Sequence, residues 1–132
     1  MKQLTLAADK HLFGYQGEQD AAQRARARGY LLLERNYRTP YGEIDLILRS
    51  PEGELVFAEV KARSGTFFGY PEEAVDLRKK SHIIRSAYYY LQQRFPDCEE
   101  IPWRVDIMAL IYKRDRKTIR DFRWFENVTA DD

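Results

Sequence analysis

Apolar positions change their period several times along the chain, and each change marks an element. From Asp9 to about Arg28, Gly14, Glu18, Ala21, Ala22 and Ala25 recur at helical spacing and share one face. Gly29 follows as a C-cap, since glycine takes the left-handed conformation that ends a helix without a Cβ penalty. Tyr30 to Tyr37 reads as a strand, the turn Thr39-Pro40-Tyr41-Gly42 follows, and Glu43 to Arg49 reads as a second strand. Ser50-Pro51-Glu52-Gly53 is another turn, after which Glu54 to about Arg63 forms a third strand. These three strands are expected to make an antiparallel meander.

Arg63 to Pro71 reads as a loop, and Pro71 suits the first turn of a second helix, with Glu72 and Glu73 favourable to its N-terminal dipole. That helix extends to about Phe95 and ends at Pro96, with Ile83, Ile84, Ala87, Tyr88 and Leu91 facing inward. Of Tyr88, Tyr89 and Tyr90, at least one must face outward. Trp103 to Ile111 and Ile119 to Phe125 complete the chain as two more strands. The order predicts an α/β fold, a mixed central sheet covered by helices, with its central strands buried on both faces.

Charge interrupts this pattern in two places. In the second strand Glu43 and Asp45 share one face, with Ile44, Leu46 and Leu48 on the other. In the third, Glu59 and Lys61 share a face with Leu55 and Phe57, opposite Val56, Ala58, Val60 and Ala62. Two carboxylates about 4 Å apart repel by roughly 4 kcal/mol at an effective dielectric near 20. Desolvation adds to that cost. A divalent cation reverses the sign, and Mg2+ or Mn2+ prefers such hard oxygen donors. Asp45 and Glu59 are the expected metal ligands, and Lys61 would orient water or stabilise charge on a phosphate. Glu43 is an expected extra or outer ligand. Glu18, facing the sheet from the first helix, would serve a second metal or its water. The competing interpretation is a structural ion-pair network among Asp45, Glu59 and Lys61.

Composition narrows the class. The chain has 132 residues, enough for one domain with one shared core. That domain is expected to span residues 1–132, with its core over about 9–111, an added strand over 117–126 and a frayed tail over 127–132. No apolar run approaches the roughly 20 residues that cross a bilayer, and Met1 to Lys10 carries no apolar signal core. Cys98 is the single cysteine, so neither an intramolecular disulfide nor a cysteine zinc site is possible, and the cytoplasm is the expected compartment. A net charge of +1 decides nothing, but its distribution does more: Arg24, Arg26, Arg28, Arg35 and Arg38 form one basic stretch and Arg78, Lys79, Lys80, His82 and Arg85 another. Either these track a nucleic-acid backbone or they are ordinary solvated surface. His11 and His82 have no partner at metal-ligand spacing.

Asp45 followed by Glu59-Val60-Lys61 resembles the PD-(D/E)XK signature of restriction-endonuclease-like nucleases. The chain more closely resembles the YraN-like family of small bacterial proteins associated with endonuclease activity, from about Gly14 to Leu110. The resemblance rests on Gly14-Tyr15-Gln16-Gly17-Glu18, Asn36-Tyr37-Arg38, Gly42-Glu43-Ile44-Asp45-Leu46-Ile47 and Val56 to Ser64. It continues through Phe68-Gly69-Tyr70-Pro71 and Arg104-Val105-Asp106-Ile107. One departure is Ile44, where the signature has proline. The resemblance implies a nuclease core of helix, three strands, helix and strand, with catalytic positions at Glu18, Asp45, Glu59 and Lys61. Similarity to archaeal Holliday junction resolvases implies branched DNA as substrate and a two-fold homodimer, both by analogy of fold.

Arg38, Arg63, Arg78, Lys79 and Lys80 are the expected nucleic-acid contacts, and Lys79 in particular would approach phosphate. Phe67, Phe68 and Tyr70 either stack on bases or cap the core. Arg104 and Asp106 share a strand face and read as a structural ion pair. The leading expectation is therefore a magnesium-dependent endonuclease of branched DNA. A non-catalytic nucleic-acid-binding module and a protein-interaction domain are the alternatives.

Overall fold

Five strands hydrogen-bond in their order along the chain, and one parallel pairing among them dictates the architecture. The computed structural model describes residues 6–65, 77–97 and 100–129, and the side chains of 13–65, 81–97 and 100–129. The elements are α1 (Leu6–Ala27), β1 (Leu31–Thr39), β2 (Gly42–Arg49), β3 (Leu55–Ser64), α2 (Leu77–Arg94), β4 (Trp103–Tyr112) and β5 (Ile119–Phe125). β1, β2 and β3 form the expected antiparallel meander. β3 and β4 are parallel from Leu55↔Trp103 to Ser64↔Tyr112, so the chain must cross over between them, and α2 lies in that crossover. β5 returns antiparallel to β4.

Each face of the sheet carries its own core. Ala21, Ala22 and Ala25 of α1 pack with Leu46, Leu48, Val56, Ala58, Met108, Leu110 and Tyr112. Ile83, Ala87 and Tyr90 of α2 pack with Ile44, Ile47, Leu55, Phe57 and Val105. β4 is buried along nearly its whole length, as a central strand covered on both faces must be. α1 ends where expected: Gly29 has φ 88°, and the N–H of Tyr30 donates to the carbonyl of Ala25 at 3.1 Å.

Several expectations shift. The glycine against the sheet is Gly17, not Gly14: a Cβ at Gly17 would stand 3.0 Å from the Cβ of Ala62, whereas Gly14 has nothing near it. On α2, Tyr90 points inward and Tyr88 outward, at 57% exposure, because the inward stripe runs Ile83, Ala87 and Tyr90. Ile44 does not share a face with Leu46 and Leu48 but joins the α2 core. Asn127 and Val128, expected to fray, are held instead. The Asn127 N–H donates to Asp106 and the Val128 N–H to the carbonyl of Val105, each at 2.8 Å. Pro71, Glu72 and Glu73, expected to start the second helix, and Phe67, Phe68 and Tyr70, expected in a loop, lie outside the described residues, as does Cys98.

Arg104 and Asp106 form the expected pair at the heart of the sheet. The Arg104 Nε donates to Asp106 Oδ1 at 3.0 Å, its Nη1 to Glu54 at 2.6 Å and its Nη2 to the Tyr30 hydroxyl at 2.8 Å. The Trp124 indole N–H donates to Asp106 Oδ2 at 2.8 Å. Burial works against the Arg104 charge, but its bonds to Asp106 and Tyr30 outweigh it and hold the guanidinium above its usual pKa.

Candidate active site

The ladder between β2 and β3 runs from Arg49↔Leu55 to Leu46↔Ala58 and stops there. Asp45, the next residue, stands in the opened seam. Its Oδ2 accepts the Val60 N–H at 2.8 Å, so a side chain serves a β3 donor that a continued ladder would have given to the backbone. β1 is distorted opposite. Its register passes from Arg35↔Leu46 to Tyr37↔Ile44, which leaves Asn36 across from Asp45, and Asn36 has φ 49°. Asparagine is among the few non-glycine residues that take this left-handed conformation readily. The same distortion moves Ile44 to the α2 face while Leu46 stays on the α1 face, which breaks the alternation expected through Asp45.

Glu18 reaches the seam because α1 lies close to the sheet there. Gly17 packs directly on Ala62 and Val60 of β3, an approach that a larger residue would block. β1 then holds the Glu18 carboxylate. Asn36 Nδ2 donates to Oε2 at 3.1 Å, and Arg35 Nη2 lies 3.6 Å from Oε1. The Arg35 guanidinium stacks over the Tyr15 ring at 4.4 Å, which fixes its position. Burial nevertheless raises the Glu18 pKa, against the opposing pull of Asn36 and Arg35.

Glu59 and Lys61 lie on the α2 side of β3, as alternation from Leu55 and Phe57 predicts, and both are 9% exposed. The Lys61 Nζ is 2.7 Å from Glu59 Oε2. Glu43 sits at the exposed end of β2, 4.0 Å from the Arg38 Nε.

Electrostatics ties the acids together. Burial raises the Asp45 pKa to about 7; the Val60 hydrogen bond opposes the rise, and the charges of Glu18, Glu59 and Glu43 add to it. Asp45 thus feels acids from α1, from β2 and from β3. The donor set is entirely carboxylate oxygen, the chemistry that suits Mg2+ or Mn2+. Among the described residues, however, no three acidic, histidine or cysteine groups are already gathered at metal-ligand spacing. Glu59 is drawn toward Lys61 instead.

Arg38 is 89% exposed at its side chain, and Arg63, also exposed, donates to the carbonyl of Ala62. Arg78, Lys79 and Lys80 fall within α2, but their side chains, like that of His11, lie outside the described set. Sequence reading missed the roles of Gly17, Arg35 and Asn36. The available signals were the small residue beside Glu18 and an asparagine inside an otherwise regular strand.

A helix, a three-strand meander, a helix and a strand, with acids where the central strands part, define an α/β protein of the restriction-endonuclease-like fold. The chain belongs to the family described as "Uncharacterised protein family UPF0102", whose model matches residues 17–110. A UPF0102 protein of Syntrophomonas wolfei is 48% identical over 106 residues, covering 80% of this chain and 90% of that protein. One of Persephonella marina is 40% identical over 98 residues, covering 74% and 82%. One of Desulforamulus reducens is 34% identical over 123 residues and spans 93% of this chain and 99% of its own length. No helix among the described residues is long and apolar enough to cross a membrane.

Proposed function

We propose that this protein is a divalent-metal-dependent endonuclease that hydrolyses phosphodiester bonds in DNA, with branched DNA as its preferred class of substrate. One observation carries the reading. Asp45 is desolvated in a parted seam and surrounded by acids until its pKa reaches about 7, with one lysine close to Glu59. Evolution of a stable core alone disfavours that excess of negative charge. A divalent cation resolves it.

Asp45 and Glu59 are the proposed ligands, and Glu18 and Glu43 the proposed supports. When bound, Mg2+ or Mn2+ would supply Lewis acidity toward the phosphate and a source of hydroxide near neutral pH. Lys61, which lies beside Glu59, would stabilise the charge that builds on the phosphate oxygens. The Val60 N–H keeps one Asp45 oxygen fixed, leaving the other to ligate. Asn36 and Arg35 orient Glu18, whose carboxylate accepts a proton from water on the α1 side. Arg38 and Arg63, at the exposed rim, are suited to hold the DNA backbone. Two copies would present two such sites to a symmetric branched substrate.

A second reading is a DNA-binding module that retains the fold. The closed Glu59–Lys61 pair at 2.7 Å favours it, because a satisfied pair needs no metal. Purified wild type and Asp45→Asn are incubated with four-way, forked and linear DNA in magnesium or manganese. Metal-dependent cutting by wild type alone supports the enzyme. Equal cutting by both proteins removes the assignment, and metal-independent binding without cutting favours the module.

A further inference from the structure

On the outer flank of α2, Tyr41, Arg85, Tyr88, Tyr89 and Gln92 line an open cleft of about 440 Å³. Tyr88 and Tyr41 are large aromatic side chains left 57% and 44% exposed. Folding gains little by leaving such area in water, and three tyrosines meeting one arginine make a more specific surface than scattered exposure. Its lining, among the described residues, carries the Arg85 cation and no carboxylate. The Tyr88 ring is braced edge-on by Trp103, at 5.4 Å between centroids, so one aromatic face is presented in a fixed direction.

The cleft is physically joined to the candidate site. Tyr41 lies in the turn that leads into β2, and that turn is fastened to α2 where Thr39 Oγ1 meets Ser86 Oγ at 2.8 Å, one residue from Arg85. His82 faces Gly42 from the same helix. The four steps from Tyr41 to Asp45 span about 13 Å of extended chain. That is the length of about four stacked nucleotides at 3.4 Å each.

We propose that this cleft is a stacking platform for an unpaired DNA strand, with bases on Tyr88 and Tyr41 and a phosphate on Arg85. The inference rests on the nuclease reading for its substrate and deepens it: the enzyme would engage single-stranded segments at a branch beside the scissile bond. Aromatic rings accept any base, since every base has a stacking face, while a cation tracks the backbone. A duplex cannot use the tyrosines without unstacking its own bases.

The test is binding of a fluorescent oligothymidylate of about a dozen residues, in EDTA, compared with a blunt duplex of equal length. Wild type is expected to bind the single strand more tightly and to show tyrosine quenching. Tyr88→Ala should weaken binding about tenfold, Tyr88→Phe should keep it, and Arg85→Ala should lower the salt slope by about 0.7. Unchanged binding in Tyr88→Ala overturns the proposal, even if wild type cuts DNA. So does a Tyr88-dependent dimer that binds no strand, which would make the cleft a contact between copies. Tyr88-dependent binding by a protein that cuts nothing leaves the platform standing and removes the nuclease reading instead.

Discussion

Two groups of charged side chains are set into the same sheet, and they are built on opposite principles. Around Asp106, which is fully buried, each carboxylate oxygen is matched: Arg104 reaches both, Trp124 donates to Oδ2 and the Asn127 N–H to Oδ1. Around Asp45, one oxygen takes the Val60 N–H, and the charges of the acids Glu18, Glu59 and Glu43 add to the rise that burial causes in its pKa. The first group is saturated by the protein itself. The second gathers acids at a place where the strands part. Saturation marks structure, and clustered acids with a raised pKa are the feature on which the proposed metal centre rests.

The contrast breaks most sharply under substitution. Asp45→Asn should reduce metal-dependent DNA cutting on the order of a thousandfold, read as the rate of nicking of a labelled substrate. Its amide oxygen still accepts from Val60, so the thermal midpoint should not fall. Arg104→Met should do the reverse. It strands Asp106 without its cation, costs about 3–5 kcal/mol in urea unfolding and moves activity only in proportion to folded protein. If Arg104→Met were neutral and Asp45→Asn unfolded the chain, the two groups would have exchanged roles.

The close contact that delivers Glu18 should come next in size. Gly17→Val forces a side chain into Ala62, whose Cβ would lie 3.0 Å from even the first added carbon, and should cost about 1–3 kcal/mol of stability. Activity should fall further than stability does, because Glu18 moves with the helix. Loss of stability with unaltered specific activity would show that Glu18 takes no part.

The contrast also shows in pH dependence. Asp45 titrates near 3.8 when unfolded and at about 7 when folded. Below both values it is neutral in each state and its contribution is fully present. As pH rises from about 4 to 7 the unfolded chain sheds the proton first, so stability falls with pH and levels off above 7. Asp45→Asn should flatten that decline, read from urea midpoints across the range without metal. A divalent cation held by Asp45 would invert the trend, because a metal binds only the ionised carboxylate.

Much of this was legible in the chain before its coordinates. Element order, the β3 alternation that places Glu59 beside Lys61, and the Arg104–Asp106 pair all follow from period-2 and helical patterns. The features that escaped are those where backbone departs from its period. Asn36 sits at positive φ inside a strand, Ile44 changes face across Asp45, and β2 leaves β3 after Leu46. Periodicity presumes a regular ladder, so it places side chains wrongly where the ladder opens, and the candidate site is at that opening. On α2, Tyr88, expected inward, faces out while Tyr90 is buried, because three consecutive tyrosines carry no pattern of their own.

The direct test is calorimetric titration of Mn2+ and Mg2+ into wild type, Asp45→Asn and Glu59→Gln at pH 8. A metal centre predicts saturable binding to wild type that weakens at least tenfold in each variant and grows weaker as pH drops below 7. Equal binding by all three proteins, or no binding by folded wild type, would contradict it.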